Sequence, residues 1–298
     1  AVNAALYRSV LPAENLLLVN TPTRFNSETT KNLARRLAEN LEAPFVELPI
    51  DSFINETVSQ IDDLQIPSPS DMKTLHLTGF MKENIQARDR STRILATLSS
   101  AFGGIFTCNA NKTELTVGYG TLYGDLSGAL AATADLWKHQ IYALGRTLNR
   151  YFDKNMIPDE IFTVRPSAEL SENQDITKGL GDPLIYEYHD FLFRSFIEPW
   201  NRITPEEILT WYSENCLEEK LGTPVSIKSI FKTHHDFITD LEKWWNLFAG
   251  FAVAKRIQAP PLLAVSRRPY GYDLRESQIA PYYTDTYIHL KNSLLSNG

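Results

Sequence analysis

Two kinds of side chain with the means to do chemistry recur around the turns of this sequence. Carboxylates and amides offer oxygen to a hard cation, and lysines and arginines offer charge to an anion. After the run GGIFTC come Asn109, Asn111, Lys112 and Glu114, then Asp125. ENIQARDR supplies Arg88 and Arg90, WKHQ supplies Lys138, RPSAE supplies Arg165 and Ser167, and KRIQAPP supplies Lys255 and Arg256. Magnesium prefers oxygen ligands and guanidinium or ammonium groups pair with phosphate, so the set reads as a nucleotide site. Taken singly, each charge reads as solvated surface. No GxGxxG fingerprint and no GxxxxGK[ST] loop occurs, and Gly118-Tyr-Gly120 with Gly124 marks only a flexible loop. The six histidines are scattered, and His234-His235 lack metal-ligand spacing. GxSxG is absent, which argues against an α/β-hydrolase serine nucleophile.

These residues must be positioned by something, and the sequence rhythm says what. AVNAALYRSV reads as a helix, ENLLLVN as a buried strand, SETTKNLARRLAENLEAP as a capped helix ended by Pro, and PFVELPI as a second strand. That alternation predicts an α/β fold with a doubly wound parallel sheet, whose strand ends bind ligands. DSFINETVSQIDDL reads as a helix and IPSPSDMKTLHL as a Pro/Ser-rich connection. An amphipathic helix is expected over 78–102, with Phe80, Ile85, Ile94, Leu95 and Leu98 on one stripe, then a third strand in GGIFTC. A short helix over 111–117 and the loop GYGTLYGDLSGAL follow. Next come a helix in ADLWKHQIYALGRTLNRYF with Asp135 near its start and a loop-rich stretch over 154–185. Helices are expected around 186–198, 205–216 and 227–254, then an irregular basic tail, RIQAPPLLAVSRRPYGYDLR. A doubly wound sheet would open on a strand. Opening on a helix means either that the sheet starts at ENLLLVN or that the first strand is missing from this chain.

Composition bounds the classes. The chain has 298 residues, 43% hydrophobic and 22% charged, with a net charge of −7. It is a globular protein, neither disordered nor fibrous. The acidic balance argues against general nucleic-acid binding. Cys108 and Cys216 alone give no disulfide framework and no multi-cysteine zinc site. No apolar run reaches membrane-span length and no signal-peptide pattern is seen, so a cytoplasmic protein is expected.

In their order and spacing, ENIQARDR, NKTELTVGYGTLYGD, DLWKHQ, RPSAEL and KRIQAPP resemble the ammonia-transferring domain of NAD+ synthetase, over nearly the whole chain. KGLGDPLIYEYHDFLFRSFIE and TPTRFNSETT are similar to the long, glutamine-dependent form, and Leu122 and Ala129 stand where the ammonia-only form has charged residues. The resemblance implies a Rossmann-like ATP-pyrophosphatase fold with extra C-terminal helices. It also implies ATP-dependent amidation of deamido-NAD+ through an adenylated intermediate, with Mg2+ required. Ammonia would come from a glutaminase domain, and the enzyme would be a homodimer. Family members carry an SGGxDS phosphate loop before the residues that AVNAALY resembles. Residues 1–298 are therefore expected to be a synthetase domain without that loop, its strand or the glutaminase domain, and to turn over little or not at all by themselves.

The resemblance also implies roles. Glu114 matches the Mg2+-binding carboxylate, and Lys138 and Ser167 match groups on the ATP phosphates. Thr23 and Arg24 fall near the adenine, and Asn109 stands where the ammonia-only form has an ATP-contacting Thr. Asn84 and Arg88 match the deamido-NAD+ side. Tyr119, Thr121 and Asp125 lie in or after the loop lining that site, and Lys255 closes over the substrates. Blander readings stand beside these: Asp125 as a loop cap, Ser167 as a helix cap, Arg90 paired with Asp89 or Glu83, and Trp244 and Trp245 as core or interface. Two alternatives stay open, another ATP pyrophosphatase amidotransferase and a non-catalytic fragment that only binds dinucleotide or a partner.

Overall fold

Ser27 accepts a hydrogen bond from Thr30 N and opens helix Glu28–Leu41, with Glu28 in the first turn where the helix dipole favours it. That helix connects strand Leu18–Asn20 to strand Phe45–Glu47, and the strands pair in parallel with Leu18 opposite Phe45. The computed structural model describes residues 1–270 and 281–296, so 271–275 of the basic tail lie outside the described residues. The chain divides into two compact units.

The first unit holds Ala1–Cys108, Tyr123–Ala129 and Ile141–Pro183. Helix Val2–Arg8 places Ala5 in a core with Leu37, Leu41, Leu148, Met156 and Ile157. Burying a side chain such as Leu41 contributes about 1.5–3 kcal/mol. Helix Asp51–Ile61 forms as expected. Of the stretch 78–102, residues 79–102 are helical but not uniformly so. Thr78 caps helix Gly79–Arg88, a π-helical segment spans Asp89–Leu95, and helix Ala96–Phe102 ends at left-handed Gly103. The expected stripe is incompletely buried, since Phe80 is exposed.

The α/β class holds, but the chain is mostly helical. Among the described residues there are two separate two-stranded sheets, the parallel pair and an antiparallel hairpin, Gln65–Pro67 with Met72–Thr74. The hairpin lies in the Pro/Ser-rich stretch read as a connection. GGIFTC forms no strand; Phe106 O instead accepts from Ala129 N.

The second unit holds Asn109–Leu122, Leu130–Gln140 and Leu184–Gly298. Helices Lys112–Val117, Tyr186–Ile197 and Pro205–Ser213 form near the expected positions, and Leu217–Leu221 is a separate helix. The single helix expected over 227–254 is three: Ile227–Ile230, His234–Ala249 and Ala252–Gln258. A Thr233/Asp236 capping box starts the second of these, and Gly250, at φ −100 and ψ −122, ends it. Helix Asp285–Ser296 was not anticipated. Phe193, Phe196 and Trp244 are fully buried, with Phe193 and Trp244 edge to face. The core reading of Trp244 therefore holds, and its Nε1 donates to Asp240. No helix among the described residues is long and apolar enough to cross a membrane.

Candidate functional site

In the second unit, helix Lys112–Val117 presents the candidate carboxylate. Asn111 caps it by accepting from Glu114 N, and Glu114 Oε2 accepts from Asn111 N at 3.1 Å, which closes a capping box. The other oxygen, Oε1, lies 3.5 Å from Lys138 Nζ, and both side chains are 19% exposed. Lys138 Nζ also sits 4.8 Å from the centre of the Tyr186 ring. The helix ends at Gly118, at φ +64. Gly118 O accepts from Lys255 Nζ at 2.6 Å. A Cβ at Gly118 would lie 2.9 Å from Ala252 Cα, so the turn requires glycine on two grounds. Thr121 is buried, Tyr119 half-buried and Asn109 exposed. The structure thus brings Glu114 to Lys138, and Lys255 to the loop that holds Tyr119 and Thr121.

The first unit holds the remaining candidates. Thr23 is buried and its N–H donates to Asn26 Oδ1, while Arg24 N donates to Asp51 Oδ1. Asn84 and Arg88 stand four apart on one helix face, with Arg88 exposed. Asp125 is exposed, and its carbonyl accepts from Cys108 Sγ.

Several candidates also make hydrogen bonds and ion pairs that hold the fold. Lys112 is fully buried and pairs with Asp135 Oδ1 at 2.9 Å. Asp135 does not cap the following helix, which starts later, at Lys138; it accepts from Lys112 and from Val265 and Ser266. Burial alone would raise the Asp135 carboxyl, but those donors outweigh it and hold it below the ordinary value. Arg256 donates to Thr116 O and Phe248 O, with its guanidinium 5.1 Å from the Phe248 and Tyr270 rings. Arg165 donates to Gly179 O. Ser167 caps no helix: it donates to Gln174 O and accepts from Glu169 N, forming a local turn. Asp89 pairs with Arg93, and Arg90 instead donates to Thr21 O. Burial lowers the Arg90 guanidinium, and the charges of Asp125, Asp89 and Asp51 offset part of that.

Reading by residue type passed over Thr113, Glu169 and Asp190. Glu169 is buried and accepts from Asn26 Nδ2, Ser27 N and Thr30 Oγ1, so it holds the start of helix Glu28–Leu41 beside the Thr23–Arg24 turn. Glu169 lies in RPSAEL, two residues after Ser167. Among the described residues, the group of three side chains close enough to share an ion is Asp62, Asp63 and His76. Asp62 there already accepts from Leu77 N and Lys82 Nζ.

A model of the family described as NAD synthase matches residues 1–226. The "Glutamine-dependent NAD(+) synthetase" of Thermotoga maritima is 32% identical over 205 residues, 69% of this chain and 33% of that protein. The "NH(3)-dependent NAD(+) synthetase" of Helicobacter hepaticus is 31% identical over 222 residues, 74% of this chain and 75% of that protein. Among solved structures, a glutamine-dependent NAD(+) synthetase from Cytophaga hutchinsonii superposes with a TM-score of 0.64 at 19% identity. That match covers 93% of this chain and 40% of that one, and it is a likeness of fold. The chain spans about a third of the length of the Thermotoga maritima relative.

Proposed function

The chain belongs to the NAD synthase family, and from that premise we propose that it is the amidating part of an enzyme that converts deamido-NAD+ to NAD+. ATP is consumed, AMP and pyrophosphate are released, and ammonia comes from glutamine at a glutaminase domain of the complete protein. The observation that carries the reading to residues is the half-buried pair Glu114 and Lys138, 3.5 Å apart. A carboxylate cannot expel oxide to accept ammonia, so it is first joined to the α-phosphorus of ATP, and charge builds on the departing pyrophosphate. Lys138 holds phosphate oxygens as that charge develops. Glu114 fits a hard cation: Oε2 is committed to Asn111 N, while Oε1 faces Lys138, so Glu114 is the side chain that would hold Mg2+. Mg2+ held there supplies Lewis-acid neutralisation of phosphate charge.

Asn84 and Arg88 take the deamido-NAD+ side, as do Tyr119, Thr121 and Asp125. Lys255, which orders the Gly118 turn, meets substrate anions nearby. Thr23 and Arg24 flank the adenine, and Asn109 takes an ATP contact. Ser167 reaches phosphate only through its remaining acceptor capacity, because its proton is given to Gln174 O. The parallel strand pair belongs to a doubly wound sheet, and the enzyme is a cytoplasmic homodimer.

The test is an assay of the complete protein containing this chain, with deamido-NAD+, ATP, Mg2+ and ammonium. NAD+, AMP and pyrophosphate are expected in equal amounts by chromatography. Amidation of xanthylate instead of deamido-NAD+ overturns the choice of substrate.

A further inference from the structure

We propose that Asp190, acting through Thr113, is the positioning residue that fixes Lys138 against Glu114. The inference deepens the function proposed above and rests on its reading of Lys138 as the phosphate-binding lysine.

The first turn of any helix leaves backbone N–H groups without partners. Helix Lys138–Tyr151 is preceded by Leu136 and Trp137, which offer no capping oxygen. Its donors are met in another way. Trp137 N donates to Gln140 Oε1 at 2.9 Å, Lys138 N to Thr113 Oγ1 at 3.1 Å, and His139 N to Asp190 Oδ2 at 2.8 Å. Two of these acceptors come from other helices, Lys112–Val117 and Tyr186–Ile197.

Asp190 has no solvent-exposed surface. A carboxylate is retained in such a place only where donors converge on it. Here Thr113 Oγ1 donates to Oδ1, and His139 donates to Oδ2 from both its backbone N–H and Nδ1, each at 2.8 Å. A carboxylate only accepts, so the His139 proton sits on Nδ1. The negative group also lies at the end of the helix where the dipole favours it.

Thr113 connects this arrangement to the candidate site. Its hydroxyl gives its proton to Asp190 and accepts from Lys138 N, and it immediately precedes Glu114. One hydroxyl therefore joins the helix bearing the candidate metal ligand to the helix bearing the candidate phosphate lysine. Asp190 sets the direction of that hydroxyl and holds the next residue, His139, from the other oxygen. The same helix begins with Tyr186, over whose ring the Lys138 ammonium lies. The 3.5 Å separation of Lys138 Nζ and Glu114 Oε1 is the geometry this network keeps. The adjacent His189 takes no part: it accepts from Ile185 N and pairs with Asp240.

Steady-state kinetics on the complete protein tests this, with Asp190→Asn, Thr113→Val, Thr113→Ser, Lys138→Ala and the Asp190→Asn/Lys138→Ala double variant. Asp190→Asn and Thr113→Val are expected to raise KM for ATP on the order of 10- to 100-fold, as loss of a supporting hydrogen bond does elsewhere, with KM for deamido-NAD+ near that of wild type. Thr113→Ser restores the hydroxyl and rescues. Because Asp190 acts through Lys138, the double variant is no worse than Lys138→Ala alone. Additive losses, equal weakening of both substrates, or a Thr113→Val enzyme like wild type overturn the proposal. If circular dichroism shows Asp190→Asn unfolded, the Thr113→Val and Thr113→Ser pair decides. A wild-type protein that makes no NAD+ sinks the functional reading instead. Calorimetric ATP affinity of wild type and Thr113→Val then tests the positioning, and equal affinities overturn it.

Discussion

Glu114 divides its two oxygens between two tasks. Oε2 completes the capping box with Asn111, and Oε1 faces Lys138. Replacement by alanine confounds the two, because it removes a helix cap as well as a charge. Glutamine separates them, since a capping box accepts Glu or Gln at this position. Glu114→Gln and Glu114→Ala are both expected to abolish NAD+ formation. Only the alanine variant should also lose about 1 kcal/mol of stability, read as a lower urea midpoint. A Glu114→Gln enzyme at near-normal rate sinks the Mg2+ assignment. The residue scale also shows where a sequence misleads. Lys112 and Glu114 stand two apart with equally suitable chemistry, yet Lys112 is sealed against Asp135 while Glu114 keeps an oxygen toward Lys138. Side-chain type cannot reveal that difference, because burial depends on partners far away in sequence, such as Ser266 on Lys112.

Elements decide which of these side chains meet. The Gly118 turn is the sharpest case, combining a positive φ with 2.9 Å of room to Ala252. Gly118→Ala is expected to cost about 1–3 kcal/mol from the left-handed backbone alone, with more from the clash, and to raise KM for deamido-NAD+ as Lys255 loses its carbonyl. Unchanged stability by urea unfolding would show that helix Ala252–Gln258 moves aside. The elements that could be read in advance carry local signals. Ser27 and the Pro after Glu28–Leu41 mark a helix, and ENLLLVN and PFVELPI flank it as strands. The misread elements depend on tertiary context. GGIFTC is apolar enough for a strand, yet apolarity does not supply a neighbouring strand to pair with. Thr233 and Gly250 divide an apolar stretch whose helical spacing ran on past both. The candidate site was legible as motifs, but Thr113 and Asp190 were not, because their role lies in how three helices meet.

At the scale of the whole molecule, the chain passes between the two units five times, after Cys108, Leu122, Ala129, Gln140 and Pro183. The fourth crossing falls inside helix Lys138–Tyr151, so that helix begins in one unit and continues in the other. Neither unit can unfold alone without fraying this helix. Cooperative loss of both is therefore expected, although chains of this size often unfold in steps. Composition provides a direct test. All five tryptophans, 137, 200, 211, 244 and 245, belong to the second unit, whereas helices occur in both. Tryptophan fluorescence then reports the second unit alone, and far-ultraviolet circular dichroism reports the two together. The two urea transitions are expected to superimpose in wild type. A circular-dichroism transition that begins at lower urea than the fluorescence change would mean that the first unit melts independently and that the shared helix does not couple them.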